Sequence, residues 1–306
     1  MTTTSAPTTI TAQGGPASGY LLVILAGVLW STVGIGIRLI EDALVWQILL
    51  YRSVGLSVLL YLVIRLRTGR DPLRLAVQGG WPALIGGTAL VAAYAGGIYA
   101  IQTTSVADAL LLFASAPFMA AILGWLVLRE PVRPRTWAAI AVACGGIAVM
   151  VGDSSGTSSP IGNAAALLSA FGFAVFTIAL RWGRAGDMLP AVFVSGLLAI
   201  VVMTVICLAM GLPLVLSPRD GAIATGMGVF QVGAGLIVYT IGSRHVPAAE
   251  LTLLSLAEVV LGPLWVWLFL SETISPRTAI GGAILLTAIA ANALMGMRRK
   301  PPVTLV

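Results

Sequence analysis

Residues 107–136 read ADALLLFASAPFMAAILGWLVLREPVRPRT, and residues 250–278 read ELTLLSLAEVVLGPLWVWLFLSETISPRT. At a constant offset of 142, Asp108 falls on Glu250, Leu112 on Leu254, Trp125 on Trp267 and Glu130 on Glu272. Pro134-Arg135-Thr136 falls on Pro276-Arg277-Thr278 in the same register. A companion match, offset by 143, sets Gly19, Trp30 and Arg38 on Gly162, Phe173 and Arg181. A duplication of this size in an apolar chain points to a carrier whose halves enclose a site near the membrane midplane and rock about it. The alternative is a duplication kept for assembly alone.

The composition sets the solvent. Apolar residues make up 58% of the chain and charged residues 9%, against about 25% charge in ordinary soluble domains. Mean hydropathy is +1.02. Apolar runs of about 20 residues, enough to span a bilayer, recur ten times: 19–40, 44–64, 81–101, 105–127, 136–152, 161–181, 190–210, 221–241, 248–270 and 277–297. The predicted fold is therefore an all-α membrane protein of ten transmembrane helices, with a five-helix repeat at 19–152 and another at 161–297. Residues 1–18 carry no Lys or Arg and read as a disordered tail; they lack the basic start of a signal peptide, so the first span is expected to be retained. Residues 298–306 form a short basic tail. Cys144 and Cys207 lie inside spans, which gives no disulfide framework and no metal spacing.

Charge placement gives orientation. Thirteen of the seventeen Lys and Arg fall on the N-terminal side of the spans, three (Arg38, Arg219, Arg277) on the opposite side, and Arg52 lies inside a span. By the positive-inside rule both termini are cytoplasmic. Five spans per repeat is an odd number, so the second repeat is inverted relative to the first. The basic balance thus reports topology, and no basic patch interleaved with aromatics suggests nucleic acid as a partner. The bilayer is the surrounding partner.

Tryptophans 46, 81, 125, 137, 182, 265 and 267 cluster near predicted span ends, as interfacial belts do, while Trp30 lies about halfway through the first span. Pro117 and Pro263 interrupt the fourth and ninth spans, where a freed carbonyl either faces a cavity or marks a packing kink. In the fifth and tenth spans, Ala141 with Gly145 and Ala279 with Ala283 are spaced for close helix contact, as scaffold or oligomer surface. The expected state is a monomer or homodimer.

Depth then selects candidate residues. Counting inward at 1.5 Å per residue, Trp30, Tyr94, Phe173, Gln231 and Glu258 lie at mid-depth, with Arg52 near the level of Glu258. A carboxylate at the bilayer centre costs about 2.5–3.5 kcal/mol on insertion scales. Glu258 must therefore meet a cation, a proton, a gate or a partner, and Arg52 is the available partner. Arg52 could equally hold a substrate carboxylate through its fork. Gln231 is either a polar handle in a glycine-rich wall or an interhelical hydrogen-bonding group. The aromatic set could stack a ring or cover a cation, or simply pack. Tyr99, nearer the external end, and Tyr239, nearer the cytoplasm, are gate candidates beside the two prolines. Lys300 is the only Lys, so no Walker-type phosphate loop exists; His245, in a short loop, is the only His. The chain predicts no cofactor, metal or enzymatic activity.

Gly27-x-x-Trp30, Ser115-Ala116-Pro117, Leu128-Arg129-Glu130-Pro131, Ala257-Glu258-Val259 and Leu270-Ser271-Glu272 together resemble the drug/metabolite transporter superfamily, in its ten-helix branch with two EamA-type domains. Relatives often carry Glu-Pro-Val where this chain has Ala257-Glu258-Val259. The resemblance covers Gly19 to Met297 and is specific for fold, not for cargo. It implies a bacterial inner-membrane exporter working by alternating access, most similar to exporters of aromatic and other neutral amino acids. Sugar-phosphate carriers of the superfamily place several basic residues in the cavity, and here Arg52 is alone. The four-helix multidrug relatives depend on a Glu in the first helix, which this chain lacks in its first and sixth spans. An amino acid needs a handle for its carboxylate, one for its ammonium and an apolar pocket: Arg52, Glu258 with Gln231, and the Trp30–Tyr94–Phe173 set. The runner-up cargo is a drug or cationic metabolite, possible with proton coupling through Glu258. A membrane-embedded enzyme or a channel is the reading from another class.

Overall fold

The computed structural model describes residues 16–152, 159–183, 189–243, 246 and 248–297, without the side chains of 16, 17, 248–253, 255, 296 and 297. Most of the expected N-terminal tail, the basic tail at 298–306 and His245 lie outside the described residues. No β-strand occurs among the described residues.

The first predicted span is two helices, α1 (Pro16–Ser31) and α2 (Val33–Arg38). The Ser31 and Thr32 hydroxyls donate to carbonyls three residues back, at 2.7 and 2.6 Å, and such back-bonding bends helices. Next come α3 (Val45–Thr68), the short α4 (Pro72–Gln78) and α5 (Gly80–Thr103). The fourth span is also divided, into α6 (Val106–Phe113) and α7 (Ala116–Leu128). Pro117 stands in the first turn of α7, where its missing N–H costs no hydrogen bond, so it starts a helix instead of interrupting one. Then follow α8 (Pro134–Val151), α9 (Pro160–Trp182) and α10 (Leu189–Ala209). The eighth span combines α11 (Pro218–Gly226), a π-helical stretch at Met227–Ala234 and α12 (Gly235–Gly242). The last helices are α13 (Ala248–Leu270), continuous through Pro263, and α14 (Pro276–Met297).

Among the described residues, nine helical stretches are long and apolar enough to cross a membrane, and α13 adds the apolar segment Leu256–Leu270. Large apolar side chains cover the outside, with Leu21 67%, Val201 63% and Phe230 68% exposed. Water would penalise such a surface, whereas lipid does not. Trp81, Trp125, Trp137, Trp182 and Trp267 are exposed near helix ends.

Contacts between the duplicated halves advance in register. Gly27 of α1 faces Ala257, Gly34 of α2 faces Val266, and Arg38 pairs with Glu272, so α1–α2 runs parallel to α13. Phe113 meets Phe173, Gly124 faces Ile178 and Glu130 pairs with Arg181, so α6–α7 runs parallel to α9. Thr104 links the end of α2 to the start of α9: its carbonyl accepts from Arg38 Nη2 at 2.9 Å, and its hydroxyl donates to Asn163 Oδ1 at 3.1 Å. The end of α2 and the start of α9 therefore lie side by side at this edge.

Small residues set the closest approaches, as lipid-embedded packing requires. A Cβ added at Gly146 of α8 would lie 2.6 Å from the Gly281 carbonyl of α14. Ala141, Gly145, Ala279 and Ala283, read as scaffold or oligomer surface, lie on exposed faces away from this packed contact. One residue along a helix is a rotation of about 100°, which separates the Gly145 face from the packed Gly146 face.

Candidate functional site

Arg52 lies in the second turn of α3 and is 6% exposed. Its guanidinium carbon stands 4.8 Å from the centre of the Tyr94 ring. Among the described residues no carboxylate forms a salt bridge with it, and no group hydrogen-bonds its side chain. The ion pair with Glu258 weighed from the sequence is thus not formed as a direct contact, although the two charges lie within electrostatic reach. A buried guanidinium held by an aromatic face alone retains five N–H donors for an anion.

Gly228, in the π-helical stretch, explains how the wall beside Arg52 is built. A Cβ there would collide with the Arg52 carbonyl, so the backbones of α3 and the π-helical stretch touch. The wider π turn carries Gln231, which is 7% exposed. Its Nε2 donates to the Trp30 carbonyl at 3.3 Å, and its Oε1 is buried without a partner. Single π turns inside helices recur at functional sites because they re-aim side chains. A buried unpaired carbonyl oxygen costs about 1–3 kcal/mol, which a bound N–H donor would offset.

The aromatic residues gather around one apolar cluster. Trp30, Tyr94 and Phe173 are all partly buried against a core that includes Leu56, Leu90, Phe176 and Leu236. Trp30 meets Tyr239 with tilted rings at 5.2 Å, and Phe173 meets Phe113 edge-on at 5.6 Å. Glu258 sits on α13, partly buried, with its backbone nitrogen 3.8 Å from where a Gly27 Cβ would lie, one helical turn before Trp30. The candidate residues thus come from α1, α3, α5, α9, the π-helical stretch and α13.

The gate candidates separate. Tyr239 belongs to this site through Trp30, while Tyr99 is 36% exposed on α5. Pro117 begins α7, and Pro263 lies in α13 beside Gly262, which packs on Leu110. Sequence reasoning missed Phe113, and it missed the hydrogen bond from Trp265 Nε1 to Ser31 Oγ at 2.8 Å, which ties α13 to α1. It also left Arg38, Arg181, Glu130 and Glu272 unpaired, although their recurrence in both halves was visible.

Residues 17–152 and 160–294 each match the EamA-like transporter family. The chain belongs to that family. Among its relatives, the uncharacterized transporter YwfM of Bacillus subtilis is 24% identical over 282 residues, covering 88% of this chain and 91% of that protein. An uncharacterized transporter of Pseudomonas aeruginosa is 24% identical over 307 residues, covering 92% and 96%. A solved crystal structure shares the fold at a TM-score of 0.61 and 21% identity, covering 91% of this chain and 97% of the other. In this EamA-like transporter the two matched segments meet along α1–α13 and α7–α9, and the candidate site draws on both of them.

Proposed function

We propose that this EamA-like transporter exports aromatic and other neutral amino acids from the bacterial cytoplasm across the inner membrane, alternating access between two inverted five-helix repeats. Both termini face the cytoplasm in this reading, and no cofactor or chemical turnover is involved. The observation that carries it is Arg52, a buried guanidinium without a carboxylate partner, set over Tyr94, which packs on the same apolar cluster as Trp30 and Phe173. Its fork suits an α-carboxylate. Glu258 and the unpaired Gln231 Oε1 suit the ammonium, and the aromatic set suits an apolar side chain. The meeting of the end of α2 with the start of α9 supports the inversion.

The test is uptake of labelled phenylalanine, tryptophan and alanine into proteoliposomes, with and without a pH gradient. Saturable, mutually competing uptake that is weakened in Arg52→Ala is the expected result. A second reading, efflux of drugs or cationic metabolites, is favoured by one observation: Glu258 makes no direct ion pair with Arg52, which leaves a carboxylate for a cation or a proton. Uptake of organic cations in place of amino acids, abolished by Glu258→Gln, would decide for it.

A further inference from the structure

Two ion pairs at opposite ends of the bundle occupy repeat-related positions. Arg38 holds Glu272 through a fork, Nε to Oε2 at 3.0 Å and Nη2 to Oε1 at 3.4 Å. Arg181 reaches Glu130 through Nη2, at 2.6 Å from Oε2 and 2.7 Å from Oε1. Each pair joins the first helix of one half to the end of the fourth helix of the other. The four residues are mates in the sequence match, at offsets of 143 and 142. Exposed salt bridges contribute little to stability on average. A pair that recurs in both halves, and bridges between them both times, calls for another role.

The two ends are not equivalent. At the Arg38–Glu272 end the side chains are 29% and 23% exposed. Arg38 also donates to the Thr104 carbonyl at 2.9 Å, Glu272 accepts from the Val106 N–H at 2.7 Å, and Thr278 donates to Asp108 at 2.6 Å. At the Arg181–Glu130 end the side chains are 51% and 42% exposed. A cleft of about 310 Å³ opens there, bordered by Gly124, Thr136 and Asn292. Thr136, the mate of Thr278, donates to Asn292 at 3.0 Å.

We infer that Arg38–Glu272 and Arg181–Glu130 are the two gate clasps of the transport step, tightening in alternation, with the first one shut in this structure. The inference rests on the alternating-access reading above. When the halves rock, the pseudo-two-fold exchanges their environments: Arg181–Glu130 takes the less exposed, multiply bonded setting and Arg38–Glu272 takes the open one. Removing one partner of this part-buried pair leaves a poorly compensated charge at the shut end, so neutralising Glu272 shifts the population toward opening there. Neutralising Glu130 weakens the other clasp and shifts it the opposite way.

Ser31 reports on the shut end, because it is fully buried beneath it on Trp265. The full chain carrying Ser31→Cys, with Cys144 and Cys207 replaced by Ala, is exposed in proteoliposomes to a membrane-impermeant methanethiosulfonate reagent. Glu272→Gln and Arg38→Gln are each expected to raise the labelling rate about tenfold, and Glu130→Gln to leave it at or below the parental rate. The charge-swapped double variant Arg38→Glu/Glu272→Arg returns it only part of the way, because the bonds to the Thr104 carbonyl and the Val106 N–H are lost with the swap. Equal labelling in all of these variants, each with a cooperative thermal melt, overturns the inference. Labelling needs no substrate, so it reports on the clasps even if no amino acid is carried. Amino-acid uptake with unchanged labelling would discard the clasps and leave the transport reading standing.

Discussion

Arg129 and Ser271, repeat mates 142 residues apart, adopt the same left-handed backbone, with φ of 55° and 54°. Each ends the fourth helix of its half. The next residue then reaches back into the helix, Glu130 N–H to the Gly124 carbonyl at 3.2 Å and Glu272 N–H to the Val266 carbonyl at 3.3 Å. The turn points both carboxylates toward their arginines in the opposite half. Left-handed backbone costs a side-chain-bearing residue roughly 1–2 kcal/mol, and the duplication has kept it twice.

Ser271→Gly is therefore expected to raise stability by about 1 kcal/mol, because glycine adopts this backbone without strain. Ser271→Val should lower it by more than that, since β-branching opposes positive φ. Thermal melts of the purified protein in detergent check both. Lower stability in Ser271→Gly would mean that the Ser271 side chain contributes more than its backbone costs.

Arg52→Ala is expected to weaken substrate uptake by about tenfold to a hundredfold, the range of one charge-assisted hydrogen-bonding contact of roughly 1.5–3 kcal/mol. Arg52→Lys should recover little, because an ammonium cannot reproduce the fork or the stack on Tyr94. Apparent KM in proteoliposomes is the readout, and a Lys variant with parental KM would rule out fork recognition.

Gln231→Leu removes the unpaired buried Oε1 together with the hydrogen bond to the Trp30 carbonyl. These losses oppose each other, so stability should change by less than about 1 kcal/mol while transport falls. A large loss of stability with normal transport would make Gln231 a helix-packing residue.

Gly146 and Gly281 give a purely structural test. At Gly281 an added Cβ would lie 2.6 Å from Met150 Cγ and 3.1 Å from the Met150 nitrogen. Gly281→Val should destabilise by about 1–3 kcal/mol by forcing α8 and α14 apart. Gly145→Ala, with nothing within 4 Å of its added Cβ, should be neutral. Thermal unfolding separates the two, and equal melts would mean the helix pair tolerates separation.

Glu258→Gln tests coupling. If Glu258 carries a proton during transport, the variant loses the stimulation by a pH gradient while still carrying substrate down its own gradient. Stimulation that survives the substitution excludes Glu258 as the proton carrier.

The sequence by itself determined the solvent, the apolar spans and the family. Apolar content leaves a chain no choice but lipid, and a repeat such as Glu130 on Glu272 survives in the letters because it constrains each half alike. It singled out Trp30, Tyr94, Phe173, Gln231 and Glu258 as candidates by depth, since rise per residue in a helix is fixed. Depth says nothing about rotation about the helix axis. Only the tertiary structure therefore decided that Arg52 lies over Tyr94 without touching Glu258, that Pro117 begins a helix, and that Gly146, not Gly145, meets α14. The π turn carrying Gln231 and the pairing of Arg38 with Glu272 belong to the same class. Each depends on which faces of distant helices meet, and that is set by packing over the whole bundle, not by any local stretch of chain.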